Sequence, residues 1–339
     1  MATLVTGGAG YIGSHTTVAL HDAGRDVVVL DDFSNASRAV IDPIRRLTRP
    51  DLPVVEGDVG DPDVLDAVFG EHRIDSVVHF AARKSVAESV RDPLGYYRSN
   101  LGSTIALAAA AIDRGVRRLV FSSSATVYGS TSALPVTEDS PTVPESPYGE
   151  TKLMGERILS GAAAASGPTA VMLRYFNPVG AHPSGLIGED PSGEPANLVP
   201  RIMQVATGRL ERLDVYGADY STADGTAVRD YVHVMDLAEG HLAALDVDIA
   251  PASSRVYNLG TGSGTTVLQV LAVAGEAVGR PIPYEMAGRR PGDVEASWAD
   301  CTRAREELGW QARRSLPEML ADHWNFTHHH PAGDGSQSG

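Results

Sequence analysis

The chain has 339 residues, 42% of them apolar and 21% charged, enough to bury one large core or two smaller ones. Its formal net charge of −15 argues against nucleic acid or an anionic membrane as the main partner, while leaving room for a small phosphorylated ligand held by a few arginines. A lone cysteine, Cys301, rules out an internal disulfide framework and fits a reducing cytosol, and no apolar run approaches the roughly 20 residues that span a bilayer.

The N-terminus enters a strand at once, Thr3–Thr6, without the basic stretch and apolar run of a secretion signal. Gly7-Gly8-Ala9-Gly10-Tyr11-Ile12-Gly13 follows and opens a helix over Ser14–Ala23. Glycines at 7, 10 and 13 allow a tight turn, close approach of backbone to a pyrophosphate, and close helix–strand packing. The helix N-terminus adds free N–H groups for the phosphates. A second strand, Val27–Asp31, ends in a carboxylate about 20 residues on, where an adenosine ribose diol is held. That carboxylate would repel a 2′-phosphate, so NAD is expected rather than NADP. Arg38, the nearest positive charge downstream, is the counter-argument.

The alternation continues with strands Val54–Gly57, Ser76–Phe80, Arg118–Ser122 and Thr169–Arg174, and with helices Pro62–Phe69, Leu94–Arg114 and Pro147–Ala164. Successive βαβ units build a parallel sheet with helices on both faces, so a Rossmann-type doubly wound α/β fold is expected. Asp58, ending the third strand, can accept from an adenine amino group, and Lys84, after the fourth, can reach a phosphate or ribose. Beyond Asn177 the chain turns to proline- and glycine-rich loops, which read as a smaller mixed α/β domain covering a substrate. Val232–Leu245 reads as a helix and Arg255–Leu259 as a strand returning to the main sheet. The expected NAD-binding domain is 1–176 plus about 230–262. The substrate domain is 177–229 plus about 263–326, and 327–339 is a flexible tail.

Only two of the 28 basic residues are lysines, Lys84 and Lys152. A lysine retained in an arginine-rich chain points to work that a planar, always-charged guanidinium cannot do. Lys152 lies four residues after Tyr148 on the expected helix, which puts the two side chains on one face at roughly 5–6 Å between Cβ atoms. The pair is a candidate for a tyrosine tuned as a base. His79, inside an apolar strand, and His233, at a helix start, read as structural. No spacing of His, Cys and carboxylates suggests a metal site, and His328-His329-His330 reads as frayed tail.

Ser122-Ser123-Ser124 closes the fifth strand, and with Ser124, Tyr148, Lys152 and the glycine turn the chain resembles the extended branch of the short-chain dehydrogenase/reductase superfamily. Six longer stretches, LVTGGAGYIGSHT, FSSSATVYG, SPYGETK, LRYFNPVGAHPSG, VRDYVHVMDLA and YNLGTG, resemble the UDP-glucose (UDP-galactose) 4-epimerase family from about residue 3 to residue 326. The resemblance implies a cytoplasmic homodimeric isomerase. Hydride leaves the sugar C4 for NAD while Tyr148 takes the 4-hydroxyl proton and Ser124 relays it. The 4-keto sugar turns and takes the hydride back on its other face. A free tyrosine pKa of about 10 would have to fall by about three units, roughly 4 kcal/mol, with Lys152 and the positive nicotinamide as sources of the field.

The resemblance also implies contacts. NAD would lie on Gly7, Gly10, Tyr11, Ile12 and Gly13, on Asp31, Asp32, Phe33, Ser34 and Asn35, and on Asp58 and Val59. Further along it would meet Phe80, Ala81, Ala82, Lys84, Asn100, Ser122, Tyr148, Lys152 and Tyr175. The UDP-sugar would meet Lys84, Ser124, Ala125, Thr126, Tyr148, Phe176 and Asn177, then Asn197, Leu198, Val199, Asp214, Val215 and Tyr216. Arg229, with Arg289 and Arg290, would face the diphosphate, and Asp293 and Ser297 complete the set. Relatives carry a tyrosine closing the sugar pocket where this chain has Ser297. A small residue there implies room for a 2-acetamido group, hence UDP-GlcNAc and UDP-GalNAc as further substrates. A 4,6-dehydratase would need an acid–base pair beside Ser124, where Ala125 and Thr126 stand. Epimerases of UDP-xylose or UDP-glucuronate, and a non-catalytic NAD-binding redox sensor, are the rival readings.

Overall fold

The computed structural model describes residues 1–330 except 131, 132, 166, 191, 192, 194, 196, 291 and 292. Six strands of the first half form as expected: β1 (Ala2–Thr6), β2 (Asp26–Asp31), β3 (Val54–Glu56), β4 (Ile74–His79), β5 (Arg118–Ser124) and β6 (Thr169–Tyr175). With the strand Ser254–Leu259 they make one seven-stranded sheet, in the order Ser254–Leu259, β6, β5, β4, β1, β2, β3. Every pairing in it is parallel. Parallel strands are covered on both faces, which is why β1 and β6 are buried along almost their whole length. One apolar cluster lies on each face: Val5, Val29 and Val171 belong to one, Leu4, Val28 and Met172 to the other. The strand order reverses between β1 and β4, so the crevice at their carboxyl ends is where such a sheet takes a ligand.

Local chemistry sets the helix starts. Ser146 caps the helix Pro147–Ala164, its hydroxyl accepting from the Gly149 N–H, with Pro147 in the first turn. The expected helix over Leu94–Arg114 is broken instead. Pro93–Tyr96 forms one turn, Tyr97–Leu101 winds as a π-turn, and only Gly102–Asp113 is regular. The first two residues of the expected helix Val232–Leu245 belong to a strand, Tyr231–His233, and the helix proper is Val234–Asp246.

Among the described residues, three small sheets lie beyond the main one. Asn177–Val179 pairs with Tyr231–His233, and Leu213–Tyr216 with Tyr284–Ala287. Val228–Arg229 sits between Thr265–Thr266 and Ala296–Ser297. A separate apolar cluster, including Ile202, Val215, Val270 and Leu320, packs beneath them. Ala304 and Trp310, by contrast, pack into the main-sheet cluster. His328 and His329, expected in the tail, continue the helix Leu316–His329. Residues 331–339 lie outside the described set. No helix among the described residues is long and apolar enough to cross a membrane.

Candidate active site

Gly7 leaves β1 at φ +69°, and a Cβ there would stand 2.7 Å from the Ala81 nitrogen. A Cβ on Gly13 would stand 2.1 Å from the Gly7 carbonyl oxygen. Only glycine fits either place, so the turn and the loop after β4 close on each other at the sheet's switch point. The helix Tyr11–Asp22 begins there with Gly10 as its cap and no side chain on its first N–H groups, which leaves them for an anion.

Asp31 is buried, and its two oxygens accept the N–H groups of Ala9 and Phe33, each at 2.9 Å. A carboxylate has about four lone-pair positions, so capacity for a diol remains. Burial pushes its carboxyl up. Asp32 accepts from the N–H and hydroxyl of Ser34, shaping the turn on which Phe33 and exposed Asn35 sit. Arg38 is spent elsewhere, forking onto Glu56 and covering the Phe33 ring at 5.1 Å. The positive charge nearest Asp31 downstream is thus matched by a neighbouring carboxylate. Asp58 does not end the third strand: it follows two residues after Glu56, exposed, with the Gly60 N–H on its Oδ1 at 2.7 Å and Val59 buried beside it.

After β4, Phe80, Ala81 and Ala82 line the same edge. Asn100 is buried with its amide committed to protein. Its Oδ1 accepts from the Arg83 N–H at 2.9 Å, and its Nδ2 donates to the Arg83 carbonyl and Thr151 Oγ1. It braces the loop carrying Lys84, whose half-exposed Nζ lies 3.7 Å from Glu189 Oε1.

The helix Pro147–Ala164 brings Tyr148 and Lys152 to the end of β5. Lys152 is buried, donates to the Ser122 carbonyl at 2.7 Å, and sits 5.0 Å from the Phe121 ring centroid and 5.8 Å from that of Tyr148. Burial lowers its ammonium to about 8, against the opposing pull of Glu156. Ser124 lies beside the Tyr148 phenol and accepts from the N–H and hydroxyl of Thr126 at 3.2 and 3.0 Å. The expected fall in the Tyr148 pKa is not a property of these side chains. Burial pushes the phenol up to about 12, and only the Ser124 hydroxyl opposes it. Desolvation outweighs a lysine whose ammonium is turned to a carbonyl. Tyr175 is buried with its hydroxyl on Ser122 Oγ.

On the other side of the crevice, Ala125 and Thr126 form a short 3₁₀ turn after Ser124, and Phe176 is buried. Asn177 Nδ2 donates to the Asp230 carbonyl at 2.9 Å. Asn197 precedes the helix Leu198–Ala206, and its Nδ2 donates to Glu189 Oε1 at 3.1 Å rather than its side chain capping the helix. Val199 and Val215 are buried in the smaller cluster, so only their backbone can meet a ligand, while Asp214 is exposed. Arg229 lies directly beside Ser297 in the strand register, and both are half-buried. The expected arginine pair splits. Arg289 turns to Asp219, at 2.7 Å, and to the Tyr220 ring, whereas Arg290 lies over the Tyr216 ring at 4.5 Å and pairs with Asp293 at 3.1 Å. The guanidinium grouped with Arg229, Tyr216 and Asp293 is Arg290.

His79 and His233, expected to be structural, are both buried and hydrogen-bonded within the protein. His79 Nδ1 meets Thr6 Oγ1 at 2.7 Å, and His233 accepts from the Met235 N–H and meets Asp322.

Residues 3–260 match the NAD dependent epimerase/dehydratase family. The chain belongs to that family. It is 51% identical over 327 residues to the UDP-glucose 4-epimerase of Bacillus subtilis, covering 96% of each chain. It superposes on the UDP-glucose 4-epimerase from Bifidobacterium longum, solved in complex with NAD+ and UDP, with a TM-score of 0.93 and 47% identity, over 98% of this chain and 99% of that one. A third similar structure is the UDP-Glc/GlcNAc 4-epimerase from Campylobacter jejuni, at a TM-score of 0.84 and 33% identity over 97% and 99% of the two chains.

Three buried acids of this family member escaped sequence reasoning. Asp230 accepts four hydrogen bonds, from the N–H groups of Thr261, Gly262 and Ala299 and the hydroxyl of Thr261, and so anchors the strand bearing Arg229. Glu189 joins Lys84 to Asn197. Glu156 pairs with Arg174 behind Lys152. Asp230 lies inside a motif already noted and Glu156 one helical turn beyond another, whereas Glu189, in a loop, carried no signal.

Proposed function

We propose that this chain interconverts UDP-glucose and UDP-galactose at C4, using a tightly held NAD. The observation that carries the reading is the meeting of Ser124, Tyr148 and Lys152 at the end of β5, one strand from the glycine cradle's neighbour β4. Bound NAD supplies a reversible hydride acceptor and a positive ring. The cradle at Gly7 and Gly13, which a Cβ would fill, fits its pyrophosphate, and buried Asp31 fits its ribose diol.

Tyr148 removes the 4-hydroxyl proton and later returns it, with Ser124 holding the 4-oxygen. The phenol starts at about 12 in the protein alone, so its work near neutral pH requires the positive field that NAD and Lys152 bring when the cofactor is in place. Arg229 and Arg290 hold the diphosphate and Tyr216 the base, so that affinity comes from the nucleotide and leaves the sugar free to turn. Replacing Tyr148 with Phe is expected to lower kcat by roughly 10²–10⁴-fold with NAD still bound after purification. Full activity in that variant would exclude the tyrosine as base. Purified protein without added NAD, incubated with UDP-galactose, UDP-xylose and UDP-glucuronate in turn, separates this reading from other epimerases and from a redox sensor.

Ser297 supports a wider substrate range. It is small, half-buried and beside Arg229, and the similar C. jejuni protein bears a name that includes GlcNAc. UDP-GalNAc is therefore a substrate in this reading. Ser297→Tyr is expected to abolish its turnover and spare UDP-galactose; equal effects on both substrates would reject the pocket assignment.

A homodimer is part of the same reading. The helix Gly102–Asp113 leaves Ile105 and Ile112 exposed, with Leu94 and Val90 nearby in the chain. Ile105→Glu is expected to convert the dimer to monomer in light scattering, and a native protein that is already monomeric would refute it. The lone, half-buried Cys301 suits a cytoplasmic setting.

A further inference from the structure

Tyr148, Lys152 and Glu156 follow one another at four-residue steps along one helix face. Glu156 is 4% exposed and Arg174, on β6, is 5% exposed. Arg174 forks onto the carboxylate, Nε to Oε1 at 2.8 Å and Nη2 to Oε2 at 2.6 Å. The Ser123 hydroxyl donates to the same carboxylate at 2.5 Å. Ser123 stands between Ser122, whose carbonyl receives Lys152, and Ser124, which lies beside Tyr148. One carboxylate thus grips the residue between the lysine's acceptor and the tyrosine's neighbour.

A buried ion pair is seldom the most stable filling for such a space, because desolvation consumes much of the Coulomb gain. Its place one helical turn from Lys152 points to an electrostatic role. Arg174 is itself fixed, donating to the Tyr128 hydroxyl at 3.0 Å and covering that ring at 4.9 Å. The groups turned toward Lys152 can be named element by element. Its own helix contributes Tyr148 and Glu156, and β5 the Phe121 ring and the Ser122 carbonyl. From β4 comes His79, which burial keeps neutral, while Arg174 on β6 reaches the lysine only through Glu156. The π-turn contributes only the neutral amide of Asn100, through Thr151. Glu156 is the one anion in this set.

We propose that Glu156 is a positioning residue for Lys152, its charge holding the lysine's proton and Arg174 limiting how strongly it does so. The catalytic consequence rests on the reading of Lys152 given above; the electrostatic coupling does not. Because the chain has two lysines, protein carrying isotope-labelled lysine shows two side-chain resonances, and Lys84→Arg assigns them. In holoenzyme, Glu156→Gln is expected to lower the Lys152 titration midpoint by about one pH unit, and Arg174→Met to raise it by about as much. Arg174→Lys should stay near wild type. Ser123→Ala, which keeps both charges and nearly all the volume, should move the midpoint slightly upward and covers the case in which the charge variants do not fold. The alkaline limb of kcat should move in the same order, with KM nearly constant. A midpoint that stays fixed, or that moves the same way in Glu156→Gln and Arg174→Met, overturns the proposal. Opposite shifts in the resonance without any matching shift in kcat would uphold the coupling and overturn the catalytic role of Lys152 instead.

Discussion

Lys152 shows how much one buried donor is asked to do. Its ammonium is held in the crevice by the Ser122 carbonyl, above an aromatic ring and beside a phenol. A guanidinium is longer and planar and could not occupy that place without moving Phe121 or the strand end. Lys152→Arg is therefore expected to lose about 10²-fold or more in kcat, despite keeping its charge, and steady-state kinetics with UDP-galactose would read it. Activity within a few-fold of wild type would mean that charge alone suffices. The importance of this residue was legible because lysine is rare in the chain. Glu156 was not legible, since an acid four residues after a lysine on a helix reads as an ordinary solvated pair. Burial, which changes its meaning, comes from β5 and β6, far off in sequence. Which of Arg289 and Arg290 joins Arg229 was not legible for a related reason: two adjacent arginines look alike until Tyr216 and Asp219 draw them apart.

Elements differ in legibility according to how they are buried. Five of the first six strands, all but the edge strand β3, are buried along most of their length and therefore stand out in the sequence, and Pro147–Ala164 carries its own cap and proline. The two- and three-residue strands that hold Arg229 and Ser297 have no periodicity long enough to detect, and tertiary pairing alone makes them. The π-turn at Tyr97–Leu101 likewise continues a helical pattern while changing which residues face inward, and it delivers Asn100 to the loop after β4. The glycine turn is the opposite case, because its geometry follows from residue type. Gly13→Ala would drive a methyl to 2.1 Å from the Gly7 carbonyl, so the turn must open. The variant is expected to purify with little or no NAD, measured from the absorbance ratio and by release of nucleotide on denaturation. Normal NAD content would show that the turn can yield without losing its pyrophosphate site.

At the scale of the whole molecule, the cofactor side and the nucleotide side share one fold because their contacts interlock. Tyr11, at the start of the cradle helix, donates to the Gly180 carbonyl beyond β6, and Glu189 touches Lys84 and Asn197 together. We take the cluster around Ile202 and Leu320 as the core of the substrate side, with 304–310 returned to the main sheet. Acid stability follows from what both cores enclose. Burial lowers His15 and His79 to about 3 and His241 and His323 to about 4. The unfolded chain protonates each near 6.5 and the folded one does not, so the stability present above pH 6.5 is lost as pH falls toward the folded values. Each of the four is expected to cost about 2 kcal/mol between pH 7 and pH 5. Asp31, Glu138, Glu189 and Asp230 are raised by burial and act in the opposite sense, regaining stability as they take up protons at lower pH. Urea unfolding should therefore show a steep fall in midpoint from pH 7 to pH 5 at constant slope. His323→Leu, which removes a buried ring whose Nδ1 has no partner, should flatten that fall by about one proton whatever it does to stability at pH 7. An unchanged pH slope in that variant would mean that His323 takes up its proton within the folded state.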